Sequence, residues 1–179
     1  MRFIKDLLFF ELNTTGPDLD KDNVIQLSAI VVDKDNLLEK DFFNTYVRIS
    51  YLDSLLLAHS KLLQVEYEVV KKSPKVADAV KLFHGKFNPG QILLVTHGTS
   101  NLFFLKAMFK KVLVPFDYNT HAIDLWTLGY IYTLNYGIKK MPSFHTFIEY
   151  FKLKQKQPAD ALEKVRLEAE VFRKIIKEV

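Results

Sequence analysis

The sequence predicts an α/β protein built on a mixed sheet, three antiparallel strands followed by parallel strands, flanked by helices. Three observations lead there. The first fifty residues hold three strand-like runs separated by turn residues at Pro17–Asn23 and Asp33–Asn36, which is the pattern of a meander. Apolar residues then recur at helical spacing, at Val76, Ala79, Val80 and Phe83 and again at Leu162, Val165, Ala169, Phe172, Ile175 and Ile176. Finally, Ile92-Leu93-Leu94-Val95 follows a helix and lacks alternation, so it reads as a buried parallel strand.

The first strand is Leu7-Leu8-Phe9-Phe10-Glu11-Leu12-Asn13-Thr14, and it breaks at Thr15-Gly16-Pro17. Strand side chains alternate in direction, so Glu11 and Asn13 share one face at the end of a core strand. Two close polar groups facing the same way there read as a site; the alternative is an edge strand with two solvated residues. The following turn carries Asp18, Asp20 and Asp22, the first half of a calcium-loop spacing. The sixth position is Asn23 rather than glycine and the twelfth is Ala29 rather than glutamate, so it reads as an acidic turn.

The second strand is Val24–Val32 and the third Phe42–Ile49. From about Tyr51 to Val70 the leucines predict a helix that includes His59, a lone histidine read as structural. Ser73 then reads as the N-cap, and Pro74 as the first position, of a helix that Asn88-Pro89-Gly90 ends. After the strand Ile92–Val95, His97–Asn101 forms a loop leading into a helix over Leu102–Phe109, whose start aims polar side chains at the mouth of that strand. Ala122–Leu125 is a short strand, and Trp126–Leu134, Ser143–Phe151 and the segment after Pro158 are helices. Asp124 reads as a cap of the helix that follows it.

Composition narrows the function classes. A length of 179 residues without a long linker or internal repeat predicts one domain, residues 1–179. The net charge of +4 and pI near 9.1 are compatible with a polyanionic partner, although lysines and acids are mixed along the chain. The absence of cysteine removes thiolate metal sites and cysteine nucleophiles. No signal-peptide pattern opens the sequence and no apolar run reaches membrane-spanning length, so a cytoplasmic protein away from membranes is expected. His84, His121 and His145 show no ligand spacing, and no glycine-rich phosphate loop is present. Most aromatics fall on inner faces, with Phe103, Tyr130, Tyr132 and Tyr136 the candidates for a base-stacking surface.

Four stretches together resemble the DEDD-type 3′–5′ exonucleases of the subgroup with a catalytic histidine, the family of the proofreading subunit of bacterial DNA polymerase III. Phe10-Glu11-Leu12-Asn13-Thr14-Thr15-Gly16 is similar to that family's Asp-x-Glu-Thr-Thr-Gly. The stretch from Ile92 through Thr96-His97-Gly98-Thr99-Ser100-Asn101 to Phe104-Leu105 resembles, without a gap, its strand followed by His-Asn-x-x-Phe-Asp and Phe-Leu. Ile123-Asp124-Leu125 is similar to its Ile-Asp-Thr, and Ala159-Asp160-Ala161-Leu162-Glu163-Lys164 to its His-x-Ala-Leu-x-Asp before a helix. The resemblance spans nearly the whole chain and implies a ribonuclease H-like fold.

It also implies a chemistry that this sequence does not support. In the family four carboxylates hold two divalent ions and the histidine acts as general base on water, because the two-metal site needs concentrated negative charge. Here Glu11, Asn13, Asn101, Ala159 and Lys164 stand at the five positions, and every one departs from the pattern. Four negative charges become one acid and one base, and amides hold hard cations weakly, so no metal is expected and Glu11 is the only remaining candidate ligand. Asp160 and Glu163 would approach from the wrong helical face relative to position 164. Lys164 is expected to replace the metal's charge by pairing with Glu11 or bonding Asn13 or Asn101; otherwise it points to solvent.

The expected function is therefore a nucleic-acid-binding protein that has lost hydrolysis, taking a single strand or 3′ end at Thr14, Thr15, His97 and Lys164 with no cofactor. The alternatives are a protein-interaction subunit of a polymerase or repair assembly, and an active exonuclease that uses magnesium or manganese through displaced ligands.

Overall fold

The computed structural model describes residues 2–49, 67–141, 143–154 and 160–178. Strands β1 (Asp6–Thr14), β2 (Val24–Val32) and β3 (Glu39–Tyr46) form the meander. Helices α1 (Tyr67–Lys72) and α2 (Val76–Lys86) lead to β4 (Ile92–Thr96), then come α3 (Ser100–Lys111), β5 (Ile123–Asp124), α4 (Leu125–Asn135), α5 (Phe144–Tyr150) and α6 (Ala161–Glu178). The sheet order is β3-β2-β1-β4-β5, with β1, β2 and β3 antiparallel and β1, β4 and β5 parallel. This is the ribonuclease H-like arrangement that the sequence predicts.

The alternation along β1 sorts the core into two layers. Leu8, Phe10 and Leu12 face α2 and α3, where Val80, Phe83, Leu105 and Phe109 complete a buried cluster. Leu7 and Phe9 face the other way, onto Val165, Ala169 and Phe172 of α6 and Phe147 of α5. Phe9 and Phe172 meet edge to face with centroids 5.3 Å apart, a contact that fixes α6 against β1 beyond what burial alone supplies. Glu11 and Asn13 continue the parity of Leu7 and Phe9, so the α6 layer is where they point.

Three local expectations are corrected. β3 begins at Glu39 rather than Phe42, because pairing starts straight after the tight turn in which the Asp33 carboxylate accepts the amides of Asp35 and Asn36 and Leu37 adopts φ 61°. It is an edge strand exposed along most of its length, so apolar residues do not mark its start. Ser73 does not cap α2: its hydroxyl donates to the Val69 carbonyl at 2.6 Å, closing α1, and Lys75 stands at the N-cap. Pro74 lies outside α2, its carbonyl accepting the Arg48 amide at 2.8 Å. Of the helix expected over Tyr51–Val70, only the part within α1 is described, and His59 lies outside the described residues. Among the described residues no helix is long and apolar enough to cross a membrane.

Candidate functional site

β1 is longer than its parallel neighbour. β4 pairs with it only from Asp6 to Phe9, so the last residues of β1 project past the carboxyl end of β4, the edge at which open α/β sheets leave room for ligands. Glu11 sits in that gap with 4% of its surface exposed. A carboxylate so buried requires compensation. Two groups provide it: the Asn101 amide, from the first turn of α3, donates to Oε2 at 2.5 Å, and the Lys164 ammonium, from the first turns of α6, pairs with Oε1. Of the sequence-stated possibilities for Lys164, pairing with Glu11 is the one the structure contains.

Burial alone would depress the Lys164 ammonium; the facing carboxylates of Glu11 and Glu168 outweigh it and hold the pKa above the ordinary lysine value. Glu168, one helical turn beyond Lys164, was not anticipated as a site residue. It is 1% exposed and neither carboxyl oxygen has a hydrogen-bond partner. Burial, then the charge of Glu11, push its pKa well above the ordinary glutamate value against the pull of Lys164, which favours the uncharged acid. Its signal was present in the sequence, since position 168 lies on the same helical stripe as Val165 and Phe172, where an acid is out of place.

Beside this cluster a hydrogen-bonded polar network lies on the same face of the sheet. The Asn13 amide donates to Gln26 Oε1 at 2.7 Å, and Gln26 Nε2 donates to Asn44 Oδ1 at 3.1 Å and Asp160 Oδ1 at 3.0 Å. Ser28 donates to the same Asn44 oxygen at 2.8 Å. The register explains the grouping: Glu11 lies opposite Ser28, Asn13 opposite Gln26, and Ser28 opposite Asn44, all on one face. Asp160 thus does reach the site's edge, contrary to the helical-face expectation. It precedes the first residue of α6 and so does not follow the helix's angular spacing. Ala159 lies outside the described residues.

The remaining expected binding residues occupy the rim. The Thr14 hydroxyl donates to the Gly16 carbonyl at 2.8 Å, while that of Thr15 donates to Asp22 at 2.7 Å and accepts the Asn23 amide at 3.0 Å. These bonds fold the β1–β2 loop tightly, and a Cβ at Gly16 would come within 2.4 Å of the Asp22 carboxylate. His97 is half-buried, edge-on to Phe144 at 6.3 Å, and its Nε2 has no partner. Burial first, and the Lys164 charge second, lower its pKa against the opposing Asp124. Asp124 caps α4 by accepting Trp126 N at 3.0 Å and also takes the Gly98 amide at 2.8 Å, where φ is +79°.

The divalent ions implied by the resemblance need several anionic oxygens with free lone pairs. Glu11 has both oxygens engaged by N–H donors, Asn13 and Asn101 turn amide N–H groups to their partners, and Glu168 favours its uncharged form. Among the described residues no group of three or more histidine or acidic side chains is gathered to hold a metal ion. The described residues do not fit the metal pair.

The family model described as Exonuclease (RNase_T) matches residues 8–172. Curated protein sequences give no match. Among solved structures, cell-death related nuclease 4 (CRN-4) superposes with TM-score 0.80 at 17% identity over 97% of this chain and 64% of that one. E. coli exonuclease I in complex with a dT13 oligonucleotide gives 0.76 at 13% identity, over 97% and 41%. A 3′-exonuclease described in 3′-end specific recognition of a histone mRNA stem-loop gives 0.72 at 15% identity, over 99% and 65%. The chain thus spans less than two thirds of each of these proteins, and at these identities the likeness is one of fold.

Proposed function

Because the chain belongs to the RNase_T exonuclease family, of the DEDD-type 3′–5′ exonucleases, we propose that it retains the family's nucleic-acid groove, carries an ammonium where the family carries metal, and binds a single strand or 3′ end without hydrolysing it. One observation carries this reading: Lys164 is paired to Glu11 at the end of β1, and the Asn101 amide occupies the other carboxylate oxygen. A carboxylate bonded on both sides offers a divalent ion no open coordination, and among the described residues no group of three or more histidine or acidic side chains is gathered around it.

The same lysine suits it to phosphate. An ammonium has three N–H donors, Glu11 engages it on one side, and 30% of the Lys164 side chain stays exposed, which leaves a route for an incoming oxygen. A lysine ammonium attracts a phosphodiester oxygen through charge and hydrogen bonds without itself supplying the metal-bound water that two-metal hydrolysis uses. Similar folds include one solved with a dT13 oligonucleotide and one described in 3′-end specific recognition of a histone mRNA stem-loop, which supports nucleic acid as the ligand class.

The test is direct. Labelled single-stranded DNA and RNA are titrated into the purified protein at increasing salt, alongside calorimetry with magnesium and manganese. The expected result is binding that weakens with salt, no metal heat and no degradation. Degradation in magnesium or manganese that Glu11→Ala abolishes would overturn the reading in favour of an exonuclease with displaced ligands. Failure to bind any single strand would overturn it in favour of a protein-interaction subunit.

A further inference from the structure

The inner and outer sides of α3 differ sharply. Asn101, Leu102, Phe104, Leu105, Met108 and Phe109 are buried, while Phe103, Lys106, Lys110 and Lys111 are exposed, and the helix contains no acid at all. Phe103 leaves 49% of its surface in water and lines the cavity described next. At helical spacing, Phe103, Lys106 and Lys110 form one stripe about 10 Å long.

That stripe is one wall of a cavity of about 720 Å³, closed on the other side by the β1–β2 loop and floored by apolar side chains that include Met108 and Phe116. Among the described residues lining the cavity, Lys106, Lys110 and Lys111 face the two acids Asp20 and Asp22, so the lining keeps a positive formal balance. The Asp22 carboxylate is held in place by the Thr15 hydroxyl and the Asp18 amide. Lys111 is itself tied to Asn23 at 3.0 Å, so Lys106 and Lys110 are the cations open to a ligand.

The cavity shares no lining residue with the candidate site, but the elements that build its walls also reach that site. Phe103 stands two residues beyond Asn101, which bonds Glu11, and the Thr15–Asp22 hydrogen bond joins the loop wall to the end of β1. A ligand filling the groove must present flat apolar faces and spaced negative charge together, which is the chemistry of a single-stranded nucleic acid. We propose that the outer face of α3 is an extension of the binding groove, in which a base of the single strand stacks on Phe103 and its phosphates pair with Lys106 and Lys110. The inference rests on the nucleic-acid reading above and extends it to residues outside the family-equivalent positions. Of the four aromatics picked out from the sequence as stacking candidates, Phe103 is the one beside both cations, whereas Tyr132 is buried.

Fluorescence anisotropy with a labelled trinucleotide and a labelled dodecanucleotide, of oligothymidine and of oligouridine, tests it against the wild type, Phe103→Ala and the double variant Lys106→Glu/Lys110→Glu. All three sites are on the surface, and thermal melting confirms that the variants fold. The expected result is a loss of about tenfold or more in dodecanucleotide affinity for either variant, a shallower salt dependence for the double variant, and unchanged trinucleotide affinity. Unchanged dodecanucleotide affinity overturns the α3 groove while the proposed function stands. If the wild type binds neither length, both fail. If oligoglutamate competes as well as the oligonucleotide and Phe103→Ala is without effect, the occupant is an acidic peptide and the nucleic-acid assignment of this face is overturned.

Discussion

The end of β1 and the outer face of α3 both gather lysine around the same end of the sheet, yet they use it differently. Lys164 stands over a carboxylate that is 4% exposed, with a second buried acid behind it. Lys106 and Lys110 stand in water on a helix with no acids. In the enclosed cluster each charge exists because another pays its desolvation, so removing one leaves the other stranded. On the open face a charge costs almost nothing to keep and is worth little to stability, which leaves it free to act on a ligand. The comparison teaches that one lysine set between two buried acids can bind a polar cluster into the core, whereas the same residue type on an open helix face stays available to a ligand.

The largest effect expected from that contrast is on folding. Lys164→Met removes the cation facing Glu11 and Glu168 and is expected to lower stability by about 3–5 kcal/mol at neutral pH, measured by urea denaturation. Lys106→Met, the same change on the open face, is expected to stay within about 0.5 kcal/mol. Equal effects at the two positions would dissolve the distinction.

A pH series sharpens it further. Because the folded-state pKa of Glu168 is raised, the native protein holds a proton that the unfolded chain has already released above the ordinary glutamate value. The resulting stability is fully present below that value and is lost as pH rises toward the folded pKa, at about 1.36 kcal/mol per pH unit of the window. Glu168→Gln carries no such proton, so it is expected to match the wild type near pH 4 and exceed it at pH 8. Glu11 and Lys164 face the group in both proteins and His97 titrates in both, so the difference between the two curves isolates position 168.

Salt gives the smallest shift. The wild-type melting temperature is expected to move little between low and high salt, because the Glu11 carboxylate of the Glu11–Lys164 pair is buried, whereas oligonucleotide binding on the α3 face falls steeply over the same range. A large drop in melting temperature would mean that the Glu11 side of the cluster is open to solvent.

The sequence by itself determined the strand meander, the parity that sends Glu11 and Asn13 to one layer, and the amphipathic stripe of α6. These are legible because alternation and helical spacing tie each side chain's direction to its own backbone. It did not determine the start of β3, where an exposed edge strand carries no apolar signal, nor the structural use of Ser73. It left Lys164 with two possible directions and gave no sign that Gln26, Ser28 and Asn44 would interlock with Asn13 across three strands. Only tertiary packing, through contacts such as Phe9 on Phe172, set α6 at the distance that brings residues 11, 164 and 168 together. Whether an acid is a charge or a neutral hydrogen carrier depends on that distance and on burial, which no local pattern in the chain encodes.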